Sequence, residues 1–425
     1  MHLSPLARAL GALFLFSLPL AAQDTSRAVR IGLTYDPSNK PGVVVLAPRG
    51  GGADSIHAIL ERDLDFGDRV NVIALDGAAL GEMARASVPM WNVLAKLGAA
   101  AAVQVTPTPA GLHLAVYDVA KQATALVRDV PAPSASNMRE WRGALHGIAD
   151  DVEAALTGTR GTAHTRIAFE RGQRIWVVDS DGEGALAVTA QGFVMSPSWS
   201  PRGDALTYVT LNPWAVVIRD LQSGRARTVV SGAGTYISPV ITADGTNVVY
   251  AFGSDNGTDI FTVPVGGGQP RRLSVGHGSE NVSPTLSPDG HRIAFTSGRV
   301  GHPEIYTMDA DGTNVELLTP LDGGTGAYRV GADWSSNGQS VAFQSGQGSK
   351  AQIMTISLRD RSTKQVTSDG ANEDPSWSPD GRHLVFVSDR GGSKQLWVLD
   401  VESGRTRQLT HGGGPVRNPA WSPRF

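Results

Sequence analysis

Beyond residue 165 the apolar positions fall in short β-branched and aromatic runs, each closed by polar, Gly- or Pro-bearing punctuation. Six triplets share one cast: Ile167-Ala168-Phe169, Leu206-Thr207-Tyr208, Val248-Val249-Tyr250, Ile293-Ala294-Phe295, Val341-Ala342-Phe343 and Leu384-Val385-Phe386. Such runs predict strands rather than helices. Each triplet is followed by a second run, such as "RIWVVDSDG", "EIYTMDADG" or "QLWVLDVESG", and then by a short polar-apolar stretch such as "ARTVVS" or "TRQLTH". A further segment, "PSWS" in its clearest form, precedes most triplets. Aligned on one column it recurs at Trp199, Ile241, Leu286, Trp334, Trp377 and Trp421, at intervals of 42 to 48 residues. Four short strands and their turns fill such a period, which is one blade of a β-propeller.

The count is offset by one strand. The unit beginning at Arg166 has no inner strand before it, and Trp421 has nothing after it. The simplest solution is a six-bladed ring in which the C-terminal strand supplies the inner strand of the first blade. Closure of this kind leaves only short sheet edges. In "SPDG" the proline presets one turn dihedral and Asp-Gly completes the reversal. Asp179 with Asp181 and Asp309 with Asp311 also suggest calcium, but an EF-hand loop needs further ligands and a closing bidentate glutamate. Turn chemistry is the favoured reading.

Residues 23–160 lack the repeat and alternate strand-like with helix-like patterns. "PGVVVLAP" reads as a buried strand, with Asp54 capping a helix that carries Ile56, Ile59, Leu60 and Leu64 on one face. "RVNVIAL" reads as a strand and "PMWNVLAKLG" as a helix from Pro89 to Gly98. A hairpin over residues 101–119 and a strand over 123–130 follow. A last helix, from about Ser136 to Leu156, presents Met138, Trp141, Leu145, Ile148, Val152 and Leu156, and Gly158 ends it. The expected fold is thus a small N-terminal α/β domain, residues 23–160, followed by an all-β six-bladed propeller, residues 161–425. Before both lies Arg8 and then an apolar run from Ala9 to Leu18, the pattern of a secretory signal peptide over residues 1–22 with cleavage near Ala22.

Composition narrows the function. The formal net charge is -3 and no basic stripe is present, which argues against nucleic acid as a partner. Cysteine is absent, which removes disulfides, thiol nucleophiles and thiolate metal sites. The Gly-rich stretch Arg49–Ser55 precedes a helix, yet no phosphate-loop or dinucleotide motif accompanies it. No G-x-S-x-G elbow occurs, the histidines show no metal-ligand spacing, and the carboxylates are unpaired by spacing. The expectation is a non-enzyme without cofactor or metal, and a monomer. The alternative is a propeller enzyme or subunit, peptidase-associated or sugar-active, with its site in the channel.

In a propeller the connections between blades converge on one face. Here they carry Thr235, Tyr236, Ser238, Glu280, Asn281, Val282, Ser283, Arg329, Asn372, Glu373, Asp374, Arg417 and Asn418. Polar and aromatic groups on a rigid scaffold suit recognition of a protein.

Nearly the whole mature chain resembles the TolB family, the periplasmic propeller proteins of the Tol–Pal system. "AVRIGLTYDPSNKPGVVVL", the hairpin "LGAAAAVQVTPTPAGLHLAVYDV", the junction "LTGTRGTAHTRIAF" and the terminal "PAWSP" carry the likeness. The resemblance implies a periplasmic adaptor that binds a Pal-like lipoprotein at the propeller mouth. It also implies binding of TolA, an inner-membrane-anchored protein, through the extreme mature N-terminus, here Asp24, Thr25, Arg27, Val29 and Arg30. It further implies roles in outer-membrane integrity, cell division and protein import. The Pal-facing loops match Thr235–Ser238 and Asn281–Ser283. The chain departs from the family there: Thr235 stands where histidine is common, and Val282-Ser283 where Thr-Glu is common.

Overall fold

A computed structural model describes residues 39–48, 53–85, 88–131, 137–275, 280–321, 327–347 and 350–425. The signal segment, the glycines preceding Ala53 and the five N-terminal residues Asp24, Thr25, Arg27, Val29 and Arg30 lie outside them.

The N-terminal part is one five-stranded sheet, ordered Asn71–Val72, Gly42–Val45, Ala99–Thr108, Gly111–Asp118, Ala123–Pro131. Gly42–Val45 is parallel to both neighbours, and the last three strands form an antiparallel meander. Helices Ala53–Gly67 and Met138–Thr157 cover one face, burying Leu60, Leu64, Leu145, Ile148, Val152 and Leu156 against Val43, Val45, Val103 and Leu114. On the other face Met83 and Leu94 pack on Val44 and Ala102.

Several expectations need correction. The first helix begins at Ala53, so Asp54 is within its first turn rather than capping it. The long helix is capped by Asn137, whose side chain accepts from the Glu140 amide. Met138, the first residue of that helix, is 60% exposed and lies outside the core cluster. "RVNVIAL" yields only the two-residue strand Asn71–Val72, and helix Gly77–Arg85 was not foreseen. Its Gly77 and Gly81 weaken the helical signal.

The rest is a six-bladed propeller with four antiparallel strands per blade. Blade 1 combines Val416–Trp421 with Arg166–Arg171, Arg174–Asp179 and Leu186–Ala187. The C-terminal strand thus supplies the inner strand, as expected, with Trp421 opposite Ile167. The remaining inner strands are Val194–Trp199, Thr235–Ile241, Asn281–Leu286, Ala327–Trp334 and Asn372–Trp377, opening blades 2 to 6. Apolar side chains fill the spaces between blades, with Phe169, Phe295, Phe343 and Phe386 fully buried.

The turn aspartates behave as turn residues in blade 4. Asp311 accepts from the Thr313 amide at 2.9 Å, and Asp309 from Asn314 Nδ2 at 2.6 Å. In blade 1 Asp181 does more. It receives the guanidinium groups of Arg62 and Arg142 from the two sheet-covering helices. The α/β part and the propeller are further joined by Arg69 to Asp380, by Arg405 to Asp65, and by Arg382 Nη2 to the Asp68 carbonyl at 3.1 Å.

Candidate partner-binding face

Every inner strand carries the same irregularity halfway along. Ser196, Ser238, Ser283, Gly331, Asp374 and Asn418 all take a left-handed backbone, with φ between 46° and 64°. At each of them the pairing register slips. These are bulges, and their residue types are glycine or small polar residues whose side chains bond locally. In five blades a proline follows, which bars the right-handed region to the residue before it. The bulges therefore stand as a ring round a central channel of about 450 Å³.

Three carboxylates knit that ring. Glu170 accepts from the Ser196 amide at 2.6 Å and from Asn418 Nδ2 at 2.6 Å. Asp374 accepts from the Asn418 amide at 3.1 Å. Asp333 accepts from the Trp377 amide at 2.7 Å and from Thr285 Oγ1 at 3.2 Å. Burial pushes all three carboxyls up, against the hydrogen bonds that favour charge; Asp333 is pushed up to about 6. Because these oxygens accept from neighbouring blades, the acids act as struts.

A second device lies nearer the mouth. In five blades a Ser or Thr after the outer strand accepts from a third-strand amide: Thr189 from Ile175, Ser274 from Ile260, Thr319 from Ile305, Thr367 from Ile353 and Thr410 from Leu396, at 2.9 to 3.1 Å. In blades 3 to 6 the hydroxyl donates onward, to Asp259, Glu304, Gln352 and Gln395. Three of these acceptors then hold the next blade. Asn281 Nδ2 donates to Asp259 at 3.0 Å, Arg329 pairs with Glu304 at 2.7 Å, and Asn372 Nδ2 donates to Gln352 at 2.8 Å.

These clasps re-sort the expected site. Asn281 and Asn372 are fully buried and Arg329 is 8% exposed, so all three are scaffold rather than contact surface. Tyr236 is also buried, its ring tilted against those of Tyr250 and Phe252. None of the four belongs to a loop: each lies within the first three residues of an inner strand. What reaches solvent is Thr235, Glu280 and Arg417, with Ser238, Val282, Ser283, Glu373, Asp374 and Asn418 half-buried. Glu373 is paired with Lys394. The interblade connections add three exposed apolar groups that sequence reasoning did not single out: Phe193, Val275 and Leu321. The rim is a ring of mixed apolar and polar groups on a stiff base, a make-up suited to contact with a partner surface.

One further cluster merits a chemical reading. Ligand atoms of Asp63, His146 and Asp181 lie within 4.8 Å of one another. However, Arg62 and Arg142 already sit on Asp181, and His146 Nδ1 lies 2.6 Å from Asp63. Two guanidinium groups at that distance disfavour a metal cation, and the cluster serves as an ion-paired joint. Next to it Glu153 is buried with neither oxygen hydrogen-bonded among the described residues. A side chain at Gly67 would place its Cβ 1.6 Å from a Glu153 oxygen. Burial pushes this carboxyl well above the ordinary range. Among the described residues no helix is long and apolar enough to cross a membrane.

The comparisons agree with the architecture. The family described as the TolB beta propeller domain matches residues 154–425. "Tol-Pal system protein TolB" of Albidiferax ferrireducens is 32% identical over 230 residues, 51% of this chain and 52% of that protein. The protein of the same name from Polaromonas naphthalenivorans is 30% identical, over 52% of each. The chain thus spans about half the length of the curated relatives it matches. The crystal structure of TolB from Acinetobacter baumannii superposes with a TM-score of 0.77 at 24% identity, covering 92% of this chain and 98% of that one. At that identity the match speaks for the fold.

Proposed function

Because the chain belongs to the TolB β-propeller domain family, we propose that it is a periplasmic adaptor of a Tol–Pal-type system and not a catalyst. In this reading residues 1–22 are a cleaved signal, residues 23–160 form one domain and residues 161–425 the other. A Pal-like lipoprotein docks on the propeller mouth, and a TolA-like protein binds Asp24, Thr25, Arg27, Val29 and Arg30. The adaptor so placed supports outer-membrane integrity and division.

The mouth itself carries the proposal. Thr235, Glu280, Val282, Ser283, Glu373 and Arg417 present a varied surface above a ring held by struts and clasps. A rigid base lowers the ordering cost of binding, so modest contacts suffice. The test is a pull-down with the mature chain and the purified Pal-like lipoprotein of the same organism. Binding is expected, with loss of more than about tenfold in affinity for Val282→Asp combined with Arg417→Glu. Deleting residues 23–30 is expected to abolish TolA-like binding and leave the lipoprotein bound. A chain that captures no lipoprotein even after crosslinking overturns the reading.

A further inference from the structure

Blade 2 keeps an edge that the other blades have lost. Its outermost strand, Ala226–Ser231, is six residues long, against two or three in each of the other five. The cause lies in the clasps. In those five blades a Ser or Thr hydroxyl takes over the third-strand amide and ends the ladder. In blade 2 the corresponding residue, Val216, is paired with Val230, and the ladder runs on to Ala215 and Ser231. On its inner side the strand pairs with Trp214–Asp220, and among the described residues no other backbone hydrogen bond reaches it. Short outer strands guard propellers against strand addition; a six-residue edge is long enough to template it.

Beside this edge lies a cleft of about 380 Å³. Thr228 and Val230 of the strand form one wall, and Tyr236, Tyr250, Phe252 and Phe261 of blade 3 the other. Their ring centroids are 5.0 to 6.1 Å apart. Tyr236 and Tyr250 are 3% and 2% exposed, and neither hydroxyl shows a hydrogen-bond partner among the described residues. Neither hydroxyl is sealed off from solvent, and both residues line the cleft, so an occupant can bond them. The charge is one-sided as well. Arg225 and Arg227 are exposed along the edge, and residues 221–232 contain no Asp or Glu.

We propose that the blade 2 edge and this cleft form a docking groove for an extended acidic peptide segment of a partner protein. The segment adds as a fifth strand along Ala226–Ser231 and lays an aromatic or aliphatic side chain against the four rings. Main-chain hydrogen bonds supply affinity in such strand addition, and the pocket supplies selectivity. A second copy of this chain is the poorer occupant, since edge-to-edge pairing brings Arg225 and Arg227 against their own equivalents. The groove meets the mouth only at Tyr236, beside the rim residue Thr235, and does not depend on the adaptor reading.

The test uses the mature chain and a labelled heptapeptide alternating glutamate with valine and phenylalanine, followed by fluorescence anisotropy and amide exchange. Saturable binding is expected, with new protection at residues 226–231 and none at the mouth strands. Arg225→Glu with Arg227→Glu should weaken it by about tenfold or more, and Thr228→Pro should abolish it by clashing with the added strand. Both sites are exposed, so the fold is kept, and an unchanged melting curve checks this. Equal affinity for a lysine-for-glutamate peptide, unchanged affinity in both variants, or protection only at the mouth overturns the proposal. So does a concentration-dependent dimer that Thr228→Pro dissolves, because the occupant is then a second copy.

Discussion

Blade 1 is assembled from the two ends of the propeller, whereas blades 2 and 3 are covalently continuous with each other. The discontinuous seam is nevertheless the better knit. Trp421 Nε1 donates to Thr165 Oγ1 at 2.8 Å, Ser422 exchanges bonds with Arg166, and Arg424 donates to the carbonyls of Arg160, Gly161 and Pro379. Phe425 packs on Trp199 with the Arg166 guanidinium 4.9 Å above its ring. The 2–3 junction shows neither strut nor clasp among the described residues; it is held by Val209, Val216, Tyr236, Val248, Tyr250 and their neighbours, with Arg227 donating to the Val265 carbonyl. Open clefts flank blade 3 on both sides, of about 380 and 470 Å³. A ring joined without a peptide bond must be held by directional contacts. A junction with a covalent tether can leave part of its surface to aromatic packing, and to function.

The strongest way to break the contrast is to remove the seam. Deleting residues 418–425 strips the first blade of most of its inner strand and leaves Arg166–Arg171 as a bare edge. Loss of cooperative unfolding or aggregation is expected, read by circular dichroism with light scattering; an intact melting curve defeats the closure argument. Next comes Trp421→Ala, which removes a packed indole together with its hydrogen bond. A loss of about 3–5 kcal/mol is expected in chemical denaturation. At the 2–3 junction Tyr236→Phe deletes only an unpartnered hydroxyl, and stability should be unchanged or slightly higher. Equal losses for the two would erase the distinction between the junctions.

The clasps sharpen the same comparison at a smaller scale. Thr410→Val leaves the Leu396 amide and Gln395 without their shared partner inside the protein, and about 1–3 kcal/mol should be lost. Ser231→Ala, one residue beyond the Val230 that stands in the clasp position of the blade 2 outer strand, should stay within about half a kcal/mol. A Ser231→Ala cost equal to that of Thr410→Val would mean that blade 2 has a clasp after all.

Much of this architecture was legible because β-branched triplets and Pro-Asp-Gly turns recur with a fixed period. The closure by Trp421 followed from counting alone, since an unmatched strand at each end has one economical solution. The site was less legible, and Asn281, Arg329 and Asn372 show why. A polar residue that starts an inner strand reads as surface in one dimension. Only the preceding blade supplies Asp259, Glu304 or Gln352, and those partners lie about twenty residues away on a different blade. The ring of left-handed residues was foreshadowed by small or polar types before proline, but its register slip has no one-dimensional signature. Asp181 misled in the opposite direction: its Asp-Gly turn is real, and its ion pairs with Arg62 and Arg142 come from helices, with the two arginines 119 and 39 residues upstream.

The mildest probe of the comparison is pH, because the well-knit side of the ring depends on buried acids. Asp333 is pushed up to about 6 by burial, which outweighs its bonds from the Trp377 amide and Thr285. Asp150 is likewise pushed up to about 6 by burial, despite the amides of His164 and Ala163. For both, the folded state binds the proton more tightly than the unfolded chain does. Their contribution is therefore fully present below the unfolded value near 3.8 and is lost as pH rises to about 6. Each group can tilt stability by at most about 1.4 kcal/mol per pH unit within that window. Asp68, held down at about 2 by Lys40, Ser403 and Asp400 against its burial, acts in reverse and at lower pH. Asp333→Asn keeps an oxygen for the Trp377 amide while removing the titration. Its stability should fall less steeply than wild type between pH 4 and pH 6, read from denaturation midpoints in one buffer series. Parallel slopes would show that the proton on Asp333 does not matter to the ring, and the strut would then be a charged one, stabilised as the clasp pair Glu304–Arg329 is.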